Sequence, residues 1–141
     1  MDSPLKVVLD TNILISALIF PGPAREFVFI LLGENIQIIA SDYIFREIEE
    51  VLKRNKFQDK KVLKSLFELI KKGVIFVKVN SYPQKIPLRD PKDHPIIQTA
   101  QKGKAKYLIT GDEELLSLKT WRGIKIVKIS QFRQLLLAKL T

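Results

Sequence analysis

A chain of 141 residues falls in the range of one domain, here taken as residues 1–141, and can bury roughly two-thirds of its unfolded surface. It has no cysteine, which excludes disulfides and thiolate metal sites. The formal net charge of +9 serves solubility or a polyanionic partner, most often nucleic acid. The longest stretch without charge runs from Thr11 to Ala24 and is broken by Pro21-Gly22-Pro23, so it is too short to span a bilayer. No basic segment followed by an apolar run opens the chain, and a cytoplasmic protein without membrane contact is expected.

Lys6-Val7-Val8-Leu9 reads as a strand buried on both faces, and Asp10-Thr11-Asn12 follow at its end. Ile13 to Phe20 predicts a short helix, and Ala24 to Leu32 a second one stopped by Gly33. Gln37 to Ala40 is a second strand, and Ser41 or Asp42 is placed to cap the next helix, whose apolar face carries Ile44, Ile48, Val51 and Leu52. Lys60 to Lys72 is amphipathic, with Val62, Leu63, Leu66, Leu69 and Ile70 as its predicted buried stripe, and Gly73 ends it. Val74 to Val79 is a third strand, and Ser81 to Pro95 a proline-rich connector. Then come a helix over Ile96 to Lys102, a strand over Tyr107 to Thr110 and a short helix over Glu113 to Leu118. Ile124 to Ile129 is a fifth strand, and Ser130 caps a last helix to Leu140. Strands alternating with helices predict a three-layer α/β/α sandwich around a parallel sheet of about five strands.

Four acids stand at places that such a fold brings to one edge. Asp10 and Asp112 follow strands, Asp93 opens a helix, and Glu47 borders the apolar face of the helix after the second strand. Singly, Asp112 and Asp93 are also natural helix caps, and Glu47 is also a natural salt-bridge partner for a lysine. Together they are costly: two carboxylates ~4 Å apart repel by about 4 kcal/mol at an effective dielectric near 20. Raised pKa values or a bound cation must relieve that cost. Oxygen donors without cysteine, and with His94 as the sole histidine, select Mg2+ or Mn2+. Such ions held by carboxylates are the usual equipment of phosphodiester hydrolysis. His94 itself reads as a hydrogen-bonding loop residue, and Asp90 as loop structure or as a support behind the neighbouring acids.

The order of the motifs resembles a known family. Val8-Leu9-Asp10-Thr11-Asn12, Ser41-Asp42-Tyr43-Ile44-Phe45-Arg46-Glu47-Ile48, Arg89-Asp90-Pro91-Lys92-Asp93 with Ala100, and Leu108-Ile109-Thr110-Gly111-Asp112 are similar to the motifs of the PIN-domain ribonucleases. Within that family the chain is most similar to the prokaryotic toxin group that includes VapC. The resemblance implies a metal-dependent endoribonuclease whose metal-site acids are Asp10, Glu47, Asp93 and Asp112. Thr11, Asn12 and Thr110 would be supporting polar groups, and His94 stands where many relatives carry a further acid. It also implies an RNA substrate, a homodimer and, for a toxin, a small antitoxin partner. The apolar run Phe27 to Leu32 is the expected dimer surface. The other reading of the same fold is a catalytically silent module that binds RNA or protein. Lysine clusters at Lys53-Arg54-Lys56, Lys60-Lys61-Lys64, Lys71-Lys72 and Lys102-Lys104-Lys106 read mostly as solvated helix faces, and otherwise as a phosphate-contacting rim around the acids.

Overall fold

The computed structural model describes residues 4–54, 59–79 and 87–140. Lys56 and the first part of the proline-rich connector, residues 81–86, lie outside them. The elements in order are β1 (Leu5–Leu9), α1 (Thr11–Ile19), α2 (Pro23–Gly33), β2 (Ile36–Ser41), α3 (Asp42–Arg54), α4 (Lys60–Gly73) and β3 (Val74–Val77). They continue with α5 (Asp93–Lys102), β4 (Tyr107–Ile109), α6 (Glu113–Leu118), β5 (Thr120–Trp121), β6 (Ile124–Val127) and α7 (Ile129–Leu140).

The strands form a sheet in the order β3-β2-β1-β4-β6-β5, and all neighbouring pairs are parallel except β5 with β6. In β1 the consecutive residues Val7, Val8 and Leu9 are all fully buried, so both faces of the sheet are covered. α1 packs on α2, α3 and α4, whereas α5 lies over β1, β2 and β4. The predicted α/β architecture with a largely parallel central sheet is therefore the one observed.

The sheet is mixed and has six strands where five parallel ones were expected. The addition is a hairpin: Trp121 pairs with Ile124 across Arg122-Gly123, both with positive φ (46° and 86°). That is the backbone of a type I′ turn, whose twist matches paired strands. Gly123 supplies one of the two left-handed residues at no steric cost.

Other differences are local. α1 begins at Thr11 and α5 at Asp93, each earlier than the apolar pattern indicated. In α4 the buried face is Leu63, Phe67 and Ile70, while Val62 and Leu69 are more than half exposed. Ser130 does not cap α7; instead the Gln131 side chain accepts from the Lys128 N–H at 2.9 Å, the reaching-back half of a capping box. Helix α2 buries Phe27, Val28 and Leu31 and leaves Ile30 as its exposed large apolar residue, a smaller surface than the run Phe27–Leu32 suggested.

Two close fits hold the sheet to its helices. A Cβ at Gly103 would sit 2.4 Å from Ile39 Cγ2, so only glycine lets α5 end against β2. Phe132 of α7 meets Phe27 and Tyr107 edge-on, with ring centroids 6.1 and 5.3 Å away. No single helix among the described residues is long and apolar enough to cross a membrane, and the α1–α2 pair is bent by 107°.

The topology fixes where chemistry can occur. From β1 the chain moves to β2 and β3 on one side, and returns to β4 and β6 on the other. The crossover direction thus reverses at β1, and open α/β sheets bind ligands outside the carboxyl ends of the strands at such a point.

Candidate active site

A pit of about 180 Å3 opens there, lined by Asp10, Thr11, Asn12, Glu47, Asp90, Lys92, Asp93, Ile96 and Asp112. All four acids singled out in the sequence line it, together with Thr11 and Asn12. Each arrives on a different element: Asp10 at the β1–α1 junction, Glu47 in α3, Asp93 in the first turn of α5, Asp112 before α6.

Thr110 does not line the pit but ties two of its walls together. Its hydroxyl donates to Asp10 Oδ2 at 2.6 Å and accepts from the Asp112 N–H at 3.0 Å. The Asp10 N–H in turn donates to Ile109 O at 2.9 Å, extending the β1–β4 ladder to the site. Asp112 Oδ1 accepts from the Leu115 N–H at 3.0 Å. The cap and the pit wall are therefore the same residue, and the two interpretations of Asp112 are compatible.

Asp93 is not the N-cap of α5; Lys92 holds that position, and Asp93 is the first helical residue. It is buried, and its Oδ2 has no hydrogen-bond partner among the described residues. The Thr11 hydroxyl is buried without a partner in the same way. Unmatched buried polar atoms are costly, so their convergence on one pit marks a place built for something polar.

Electrostatics follow from this placement. Burial pushes the Asp10 carboxyl above its ordinary value and the Asp112 charge adds to the rise, against the Thr110 hydrogen bond and the amides of Asn12 and Thr11. Asp93 is pushed up to about 7, first by burial and then by the charges of Asp112, Asp90, Asp10 and Glu114. Tyr43 is raised by burial and by its hydrogen bond to Glu47, with the charges of Glu47, Asp90 and Asp93 adding to the effect. Among the described residues, no three of the His, Asp or Glu side chains close into a ready-made metal site.

The donor set nevertheless suits a hard cation. It is all oxygen, it includes an unpartnered buried carboxylate oxygen, and the proton affinities of Asp10 and Asp93 are raised by burial and then by neighbouring negative charge.

The loop before α5 is held from several sides. The Arg89 and Asp90 N–H groups both donate to Glu114 Oε1, the second at 3.4 Å. Asp90 Oδ1 accepts from the Lys92 N–H at 3.0 Å, and His94 Nε2 lies 3.1 Å from Leu88 O. His94 is a loop-bracing residue, as expected, whereas Glu114 was not singled out. Its only signal was an acid two residues after Asp112.

The lysine rim has a different location from the one considered in the sequence. Lys53, Lys60, Lys64 and Lys71 line a separate groove between α3 and α4. Among the described residues, the cation that lines the pit is Lys92.

A family model described as PIN domain matches residues 6–114. The chain belongs to the PIN domain family. It is also 33% identical over 121 residues to the uncharacterized protein MJ1680 of Methanocaldococcus jannaschii, covering 82% of this chain and 76% of that protein. In fold, this PIN domain is similar to a chain in the crystal structure of VapBC2 from Rickettsia felis bound to a DNA fragment from their promoter. The TM-score there is 0.63 at 16% identity, over 88% of this chain and 98% of that one.

Proposed function

We propose that this PIN domain is a metal-dependent endoribonuclease with Asp10, Glu47, Asp93 and Asp112 as its metal-site acids and Thr11, Asn12 and Thr110 in support. The observation that carries this reading is the convergence of those acids, from four separate elements, on one pit at the switch point of the sheet. A structural acid would be capped, paired or solvated; Asp93 is buried with an unpartnered oxygen.

The four acids would hold one or two Mg2+ or Mn2+ ions. When bound, the cation supplies Lewis acidity, neutralising the charge of the scissile phosphate and polarising the attacking water. The protein's own groups prepare for it. Thr110 fixes the Asp10 carboxylate by donating to Oδ2. Leu115 N–H holds Asp112 by Oδ1. Asp93, whose carboxyl is pushed up to about 7, would hold the cation in its ionised form and so give up a proton on binding it. Among the described residues, no serine, cysteine or histidine lines the pit, which fits direct attack by water.

The fold likeness to a chain of VapBC2 is in keeping with a toxin role and a small antitoxin partner; the homodimer and a cytoplasmic site of action on RNA are proposed from the resemblance of the sequence motifs. The deciding experiment is cleavage of a fluorescent single-stranded RNA. The expected result is Mg2+- or Mn2+-dependent cleavage that EDTA stops and Asp10→Asn abolishes. Full activity of the wild type in EDTA, or of Asp10→Asn with metal, would end the proposal.

A further inference from the structure

The pit presents a physical difficulty for a nuclease. An RNA substrate is a polyanion, yet Asp10, Glu47, Asp90, Asp93 and Asp112 all line the pit it would have to enter. A metal ion draws in the scissile phosphate, but the neighbouring phosphates meet a wall of carboxylates. Among the described residues, the one lining side chain that attracts them is Lys92.

Two observations set Lys92 apart from a neutralising lysine. First, it forms no ion pair among the described residues, although it stands in sequence between Asp90 and Asp93 and lines the same pit. A counter-ion for the acids would sit on one of them. Second, its backbone is fixed. The Lys92 N–H donates to Asp90 Oδ1 at 3.0 Å, the Asp93 N–H donates to Asp90 O at 3.1 Å, and Glu114 ties the preceding residues to α6. Lys92 is exposed and lines the pit, and a four-carbon stem lets a lysine ammonium reach a ligand from a backbone held in this way.

We infer that Lys92 is the strand anchor of the site: its ammonium binds a non-bridging oxygen of an RNA phosphate next to the scissile one. This inference rests on the nuclease reading and deepens it by assigning the contact that holds the strand. The lysines of the α3–α4 groove do not line the pit, so they do not substitute for it.

The test is fluorescence anisotropy of a labelled single-stranded RNA oligomer on the full chain, in the non-cleaving Asp10→Asn background with Mg2+, across a salt series. Lys92→Ala is expected to weaken binding about tenfold, as loss of one charged phosphate contact does. The slope of log affinity against log salt should fall by about 0.7, the value for one phosphate on a single strand. Lys92→Arg should restore both, and Lys53→Ala, in the other groove, should change neither. In the otherwise wild-type enzyme the loss should appear in KM more than in kcat. Unchanged affinity and slope in Lys92→Ala would overturn the inference. So would a changed Mn2+ affinity or apo melting temperature with RNA binding intact, since that is the behaviour of an internal counter-ion. Cleavage by Asp10→Asn at the wild-type rate would instead overturn the nuclease reading, while the salt slope would still report whether Lys92 touches phosphate.

Discussion

Two concavities among the described residues differ in kind. The groove between α3 and α4 is the larger, about 310 Å3, with an apolar floor of Leu52, Leu63 and Phe67 and charges on its rim. Those charges are in solvent or satisfied: Lys71 pairs with Glu68 at 3.2 Å and lies over the Phe67 ring at 4.3 Å. The pit at the strand ends is smaller, about 180 Å3, and polar. Asp10 and Asp93 are buried there, Glu47 and Asp112 half-buried, the charges of Asp10 and Asp112 bear on Asp93, and Asp93 has an oxygen without a partner. Size does not locate the chemistry. An exposed charge costs little and says little, whereas a buried, unpaired charge must be offset by function or by a ligand.

The largest test of this contrast is catalytic. Asp10→Asn should lower RNA cleavage by at least about a hundredfold, because several kcal/mol of metal-borne charge stabilisation depend on the site. Glu49→Gln in the groove should leave the rate within about twofold, as expected for a solvated acid away from the site. Equal losses from the two variants would erase the distinction.

Next comes Thr110→Val, which removes the donor to Asp10 and the acceptor for the Asp112 N–H. It should cost about 1–3 kcal/mol of stability by chemical denaturation, the usual penalty for leaving a buried polar group unmatched. An unaffected midpoint would show that Thr110 does not bind the two walls together.

Proton linkage gives a third effect. The folded-state pKa of Asp93, about 7, lies above its ordinary value of 3.8. The folded chain therefore binds a proton more tightly than the unfolded chain between those values. Stability of the metal-free protein should fall as pH rises from about 4 to 7, and then level off. The raised pKa of Asp10 acts in the same direction. Melting in EDTA should accordingly be several degrees lower at pH 8 than at pH 5, at roughly 2–4 °C for each kcal/mol in a domain of this size. Asp93→Asn should flatten that dependence, and Mg2+ should reverse part of it by binding the charged form. A flat profile for the wild type would show that Asp93 is not under charge strain.

The smallest effect separates cap from cluster at Asp112. Asparagine keeps an acceptor for the Leu115 N–H, so capping survives in Asp112→Asn. Removing a charge from the pit should then raise apo stability by about 1 kcal/mol, with the gain shrinking in Mg2+. Identical melting of variant and wild type in both conditions would leave Asp112 a cap alone.

Much of this site was legible in the sequence because its acids interrupt strong patterns. Asp10 and Asp112 each follow a buried strand, and Glu47 sits at the edge of a helix face fixed by Ile44 and Ile48, both fully buried. What was missed depends on neighbours that are remote in the chain. Phe67 is buried because Phe45, on α3, meets its ring edge-on, while Val62 faces out. Periodicity alone cannot rank two adjacent apolar stripes. The β5–β6 hairpin turns on Arg122-Gly123, which lacks the Asn-Gly or Asp-Gly signature of such turns. Glu114 braces Arg89 and Asp90 across some 25 residues, a contact no local spacing encodes. Lys92 was one lysine among many until the pit showed which of them it contains.

The central claim is that the four acids are a cation site, and calorimetric titration of Mn2+ into the metal-free protein tests it most directly. The account predicts saturable binding by the wild type, accompanied by proton release near pH 7 as Asp93 ionises, and at least about tenfold weaker binding by Asp10→Asn and by Asp93→Asn. No Mn2+ binding by the wild type, or equal binding by all three proteins, would contradict it.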